Sequence, residues 1–132
     1  MLKFDFDRFA DKALNTIGDV LVEQAQDNME KVSIGRVYIV GGKRHIASKA
    51  GDTANNESGA LSKTIRFEIS GKVLEFGAGN SKIKYAKFLE LGTSKMDKRP
   101  NYTKSILQNK SKIDKVVQLA LTNSIRFTKW LN

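Results

Sequence analysis

From Asp5 to about Lys31 the apolar residues fall at Phe6, Phe9, Ala13, Ile17, Val20, Leu21, Ala25 and Met29. Spacings of three and four place them on one stripe of an amphipathic helix. Asp5 or Asp7 is positioned to cap its start, where acids suit the helix dipole, and Lys31 suits its end. At a rise of ~1.5 Å per residue this helix reaches about 40 Å. The whole chain has 132 residues, enough for one domain (1–132) with one real core. A strand of a small sheet spans only ~17–20 Å, so a sheet cannot cover the whole stripe. Part of the helix must project beyond its own core or lie along a partner. The end around Phe4, Phe6 and Phe9 is therefore the candidate subunit interface.

The remaining segments specify an α+β fold. "IGRVYIV" (34–40) is β-branched and reads as a strand. Residues 41–59 have four glycines and almost no apolar content, and are expected to form a flexible loop that becomes ordered on assembly. "LSKTIRFEIS" alternates, with Ile65, Phe67 and Ile69 on one face and Thr64, Arg66 and Glu68 on the other. A turn at Ser70-Gly71 and the returning strand "KVLEF" complete a hairpin. "GAGN" (77–80) breaks the sheet, and residues 81–91 suit a short helix with Gly92 as its C-cap glycine. A basic connector through Arg99-Pro100 leads to a second long helix from Thr103 to about Trp130, striped by Ile106, Ile113, Val117, Ala120 or Leu121, and Phe127. The expected architecture is a long N-terminal helix, a small mostly antiparallel sheet with a β-hairpin, a short helix and a long C-terminal helix.

Little in the chain points to catalysis. The single histidine, His45, lies beside Lys43 and Arg44 with no orienting carboxylate nearby. With no cysteine and no second histidine, the usual zinc ligands are missing, and Asp5, Asp7 and Asp11 are explained by their place at a helix start. "GAGNSK" opens like a phosphate-binding turn, but Lys82 stands where a dinucleotide fingerprint has its third glycine, and the preceding strand belongs to a hairpin. No cofactor is expected. No apolar run approaches the ~20 residues that span a bilayer, so no membrane partner is expected. The N-terminal residues lack the pattern of a signal peptide, and the Asn-x-Ser/Thr sequons at Asn56 and Asn101 are read as incidental.

Charge is unevenly placed. The first 66 residues are close to balanced, with 10 Lys/Arg against 9 Asp/Glu, whereas residues 67–132 hold 13 against 5. A field of this kind favours an acidic neighbour or DNA, and the bland alternative is a solvated lysine-rich face. Lys43, Arg44, Lys82, Lys84, Lys87, Lys95 and Lys98 form the candidate patch, with Tyr85, Phe88 and Tyr102 interleaved for stacking on bases. No sequence-reading motif is present, so contact with DNA would be non-specific.

The order of the motifs narrows the reading further. Gly59, Leu61, Thr64 and Ile65 precede the hairpin; Tyr85, Ala86, Glu90, Gly92 and Thr93 follow it; Arg99 and Pro100 introduce the last helix. This series resembles the tail-component family of long-tailed bacteriophages, small neck or tail-completion proteins of the head–tail junction. The resemblance covers roughly residues 58–110. Thr64 stands where serine is usual, and Asn101 where an aromatic is expected, with Tyr102 one position later. The resemblance implies a non-enzymatic virion protein that forms a ring with itself and contacts other neck, tail-tube or connector proteins. It would be assembled in the host cytoplasm and reside in the neck of the virion. A small cytoplasmic protein binding nucleic acid non-specifically through the basic half is the alternative. Physically, Glu90 at a helix C-terminus needs a positive partner, and Arg99 is the expected one, making residues 85–100 a charge-latched elbow.

Overall fold

The computed structural model describes residues 2–31, 33–49, 51–55, 59–78, 90–92, 94 and 98–127. The fold is α+β: among the described residues, three helices and three two-stranded antiparallel ladders. Strand β1 (Leu2–Phe4) leads into helix α1 (Asp7–Glu30). Next come β2 (Val37–Val40), β3 (Lys43–Ile46), β4 (Arg66–Ser70) and β5 (Val73–Gly77). Helices α2 (Tyr102–Gln108) and α3 (Lys110–Asn123) follow, and β6 (Ile125–Phe127) pairs back on β1.

The stripe on α1 faces inward as its spacing requires. Ala10, Ala13, Leu21, Ala25 and Met29 are buried, while Phe6, Phe9, Ile17 and Val20 are half-buried. The main core gathers at its C-terminal half, where Ala25 and Met29 pack with Leu61 and Ile65, flanked by Val22, Phe76 and Tyr102. The Phe76 and Tyr102 rings meet edge to face at 5.3 Å, the arrangement that aromatic quadrupoles favour. Gly18 lets the sheet approach α1: a Cβ there would lie 2.5 Å from the Phe67 ring. Neither Asp5 nor Asp7 is the N-cap residue, which is Phe6 with no side-chain cap. Asp7 sits in the first turn and pairs with Lys72, from the turn of the β4–β5 hairpin.

That hairpin forms in the expected register, with Phe67 opposite Phe76 and Ile69 opposite Leu74. Its turn is Gly71-Lys72, one residue later than expected. Gly71 has φ of 61°, the positive value that the first central residue of a II′ turn requires.

Three other expectations are corrected. The loop read over 41–59 contains strand β3, because Gly41 and Gly42, with φ of 58° and 77°, turn the chain back on β2. Two successive positive φ values are the signature of a I′ hairpin turn. Residues beyond β3 are also tied down: Asn55 Nδ2 donates to the carbonyls of Ser33 and Ile46 at 2.8 and 2.9 Å. Second, the stretch from Gly59 to Ile65 does not open a strand. It winds into a 3-10 turn, Ser62–Thr64, which drops Leu61 and Ile65 into the core. Third, the terminal helix bends at Asn109 and stops at Asn123, short of Trp130. Ser124 follows as a buried C-cap, its hydroxyl donating to the carbonyl of Ala120 at 2.6 Å, and the backbone of Phe127 belongs to β6.

Candidate assembly surfaces

The elbow forms around a carboxylate, but not by the expected ion pair. Glu90 and Leu91 are helical and Gly92 follows with φ of 75°, the left-handed conformation of a C-cap glycine. Across the connector, Glu90 Oε2 accepts the N–H groups of Asn101 and Tyr102 at 2.7 and 3.2 Å, and Oε1 accepts that of Thr103 at 2.9 Å. These donors open α2, where unsatisfied N–H groups and the positive end of the helix dipole welcome an anion. The positive partner of Glu90 is thus a helix terminus. Arg99 turns elsewhere: its Nε donates to Ser48 Oγ at 3.0 Å and its Nη1 to the carbonyl of Lys98 at 3.4 Å. Ion pairs do form elsewhere, between Arg66 and Glu68 and between Lys72 and Asp7.

Leu61, from the front of the motif series, lines one small pocket with Glu90, Arg99 and Tyr102 from its back. Pro100 contributes its carbonyl, which accepts from Thr53 Oγ1 at 2.9 Å. Gly59 has φ of 77° and its carbonyl receives the N–H of Lys63 at 3.0 Å. Tyr85, Ala86 and Thr93, together with Lys82, Lys84, Lys87 and Lys95, lie outside the described residues.

Behind the elbow lies a network that the sequence reading missed. Asn28, Asn101, Ser105 and Asn109 are buried where α1 meets α2. Asn109 Nδ2 donates to Gln24 Oε1, Gln24 Nε2 to Asn28 Oδ1, and Asn28 Nδ2 to Asn101 Oδ1, all at 3.0–3.1 Å. Asn101 Nδ2 ends the chain on the carbonyl of Ala25 at 3.0 Å. Gln24, Asn28 and Asn101 each serve as donor and acceptor, and Asn109 Nδ2 donates a second time, to the carbonyl of Ser105 at 2.9 Å, so the buried amides are held by hydrogen bonds. Asn101 therefore fills the place expected of an aromatic by fixing the two helices through hydrogen bonds. Uncharged polar residues four apart along both helical segments (Gln24 with Asn28, Ser105 with Asn109) are the signal that marks such a seam.

The candidate interface at the N-terminus is graded. Phe4 is 58% exposed, whereas Phe6 and Phe9 are half-buried. Phe4 and Phe6 stack with parallel rings 6.2 Å apart, and Arg8 lies 5.5 Å over the Phe9 ring. The segment is held by the β1–β6 ladder, in which Phe4 is opposite Ile125, and by Asp5 N–H donating to the carbonyl of Ser124 at 2.7 Å.

A second exposed apolar surface lies on the β2–β3 hairpin. Val37, Tyr38, Ile39 and Val40 are all exposed, Ile39 at 74%. Among the described elements, the hairpin's contacts are mainly within itself. Lys43 and Arg44, from the candidate cationic patch, sit on β3 opposite Val40 and Ile39, and His45 stacks on Tyr38 at 5.4 Å. Lys98 is exposed on the elbow connector, so the described members of the patch occupy two separate segments of chain.

Among the described residues, no three histidine, aspartate or glutamate side chains gather to hold a metal ion, and no helix is long and apolar enough to cross a membrane. In comparisons with known proteins, no family model, no curated protein and no solved structure matched the chain.

Proposed function

We propose that this chain is a non-enzymatic virion protein of the phage head–tail junction. It assembles as a ring that completes the tail end or joins it to the head, and its neighbours are tail-tube, connector or other neck proteins. It is built in the host cytoplasm and ends in the neck of the virion. The observation that carries the reading is the ordered motif series from Gly59 to Pro100. Three of its described members, far apart in sequence, meet at the elbow, where Leu61, Glu90 and Arg99 line one pocket. A shared structural element is what a family keeps when its members have no catalytic residues in common to keep. The exposed apolar hairpin supports the reading too, because surface of that kind marks a site of association.

Negative-stain imaging of the purified protein, alone and with tail tubes lacking their terminal ring, tests the proposal. Rings, or capped tube ends, are expected. Binding of duplex DNA that falls steeply with salt, with neither rings nor caps, replaces it by non-specific nucleic-acid binding through the basic half.

A further inference from the structure

The β2–β3 hairpin has two usable faces. Val37 and Ile39 share one with Arg44 and Ile46; Tyr38 and Val40 share the other with Lys43 and His45. From Ser33 to Gly51 the sequence carries cations and no acid. The hairpin is thus an apolar wedge with a positive tip.

A surface of opposite character lies on the same molecule. Between α1 and β4 runs a groove of about 430 Å³ with Val22, Ile65 and Phe67 in its walls and Asp19 and Glu23 at its rim. Arg66 stands at one edge but is engaged with Glu68 and with the carbonyl of Thr64. Asp19, Glu23 and Asp27 follow one another at four-residue spacing, all exposed, and from Ala13 to Glu30 the helix carries no cation. Like charges at this spacing destabilise an isolated helix, so a cationic partner laid along them relieves a real cost.

We infer that the β2–β3 hairpin of one copy docks in the α1–β4 groove of a second copy, placing Ile39 and Val40 against Val22 and Phe67 and pairing Lys43 and Arg44 with Asp19 and Glu23. The occupant follows from charge complementarity: this chain supplies both an acid-rimmed apolar groove and the basic apolar wedge that matches it. The contact is heterologous, joining different patches on the two copies, and repeated head to tail it closes into a ring or continues as a filament. The inference rests on the neck reading for its biological setting and adds to it the surfaces through which subunits meet.

Charge exchange tests it directly. Lys43→Glu with Arg44→Glu makes the tip acidic, and Asp19→Lys with Glu23→Lys makes the rim basic. All four side chains are exposed, so both variants are expected to keep the wild-type circular dichroism. In sedimentation velocity the wild type is expected to self-associate. Each variant alone needs about a hundredfold or more protein to do so, and an equimolar mixture recovers assembly, because acidic tips then find basic rims. Oligomers indifferent to the exchange, a mixture that fails to recover, or a wild type that stays monomeric at all concentrations overturns the inference. Tail-end capping by the same proteins judges the neck reading separately. A chain that caps tails but ignores the exchange keeps that reading and loses this interface. A chain that obeys the exchange but ignores tails does the reverse. Should either variant lose its fold, Ile39→Ser, at the most exposed apolar position, carries the test of the wedge.

Discussion

Where α1 crosses α2 the chain buries Asn28, Asn101, Ser105 and Asn109, whereas on the β2–β3 hairpin it leaves Val37, Ile39 and Val40 in water. Each region inverts the usual sorting of side chains, and the inversions have different meanings. Buried amides are tolerable when they are hydrogen-bonded, and a network of such bonds accepts one helix register and resists others. Exposed aliphatic side chains cost nothing in internal hydrogen bonds, yet they contribute nothing to the fold until a partner covers them. One region makes the structure specific; the other leaves apolar surface that the described fold does not cover.

The contrast breaks most readily at the network. Asn101→Leu removes the side-chain donor on the Ala25 carbonyl and one of the three acceptors of Asn28 Nδ2, leaving it Ser105 Oγ and Gln108 Oε1. It is expected to lower stability by about 2–3 kcal/mol in urea unfolding. A loss below about 1 kcal/mol would mean that water or repacking replaces the network. Next comes the helix–sheet contact. Gly18→Val drives a branched side chain into the Phe67 ring and is expected to cost about 1–3 kcal/mol, with a changed near-UV spectrum. Unaltered stability there would show that α1 stands off the hairpin.

Smaller effects sharpen the comparison. Glu90→Gln keeps a side-chain acceptor but removes the anion from the α2 terminus, so a loss of about 1 kcal/mol is expected. Combined with Arg99→Gln in a double-mutant cycle, the two changes should add to within about 0.5 kcal/mol. Larger coupling restores the direct latch that the sequence suggested. Smallest of all, Ile39→Ser should move the unfolding midpoint by no more than about 0.5 kcal/mol in the monomer while weakening self-association. A hairpin whose loss of one isoleucine unfolds the protein belongs to the core after all.

Periodicity explains how much of this could be read in advance. The stripe of α1 and the alternation of β4 are imposed by burial on one face, so they are written in single residues at fixed spacing. The β2–β3 hairpin escaped because β3, Lys-Arg-His-Ile, has no buried face to impose alternation. Only the Gly41-Gly42 turn signalled it. The elbow was legible in its parts but not in its bonding. A carboxylate seeking positive charge does not announce whether it will find a guanidinium or three backbone N–H groups, and here the helix terminus was nearer. The end of α3 at Asn123 was hidden for another reason: Phe127, seven residues after Ala120, continues an apolar spacing that suits a helix, while the strand that pairs with Ile125–Phe127 lies at the far end of the sequence.

That last pairing has a consequence for the order in which the chain folds. Leu2–Phe4 and Ile125–Phe127 are joined only after almost the whole described chain has been gathered between them, and closing so long a loop is entropically costly until other contacts have drawn its ends together. The β1–β6 ladder therefore belongs to the final steps of folding, after α3 has docked along α1, and to the first steps of opening. In native-state hydrogen exchange its amides should lose protection before those of the α1–α2 crossing, so that a short frayed ladder reports when the long helices begin to part.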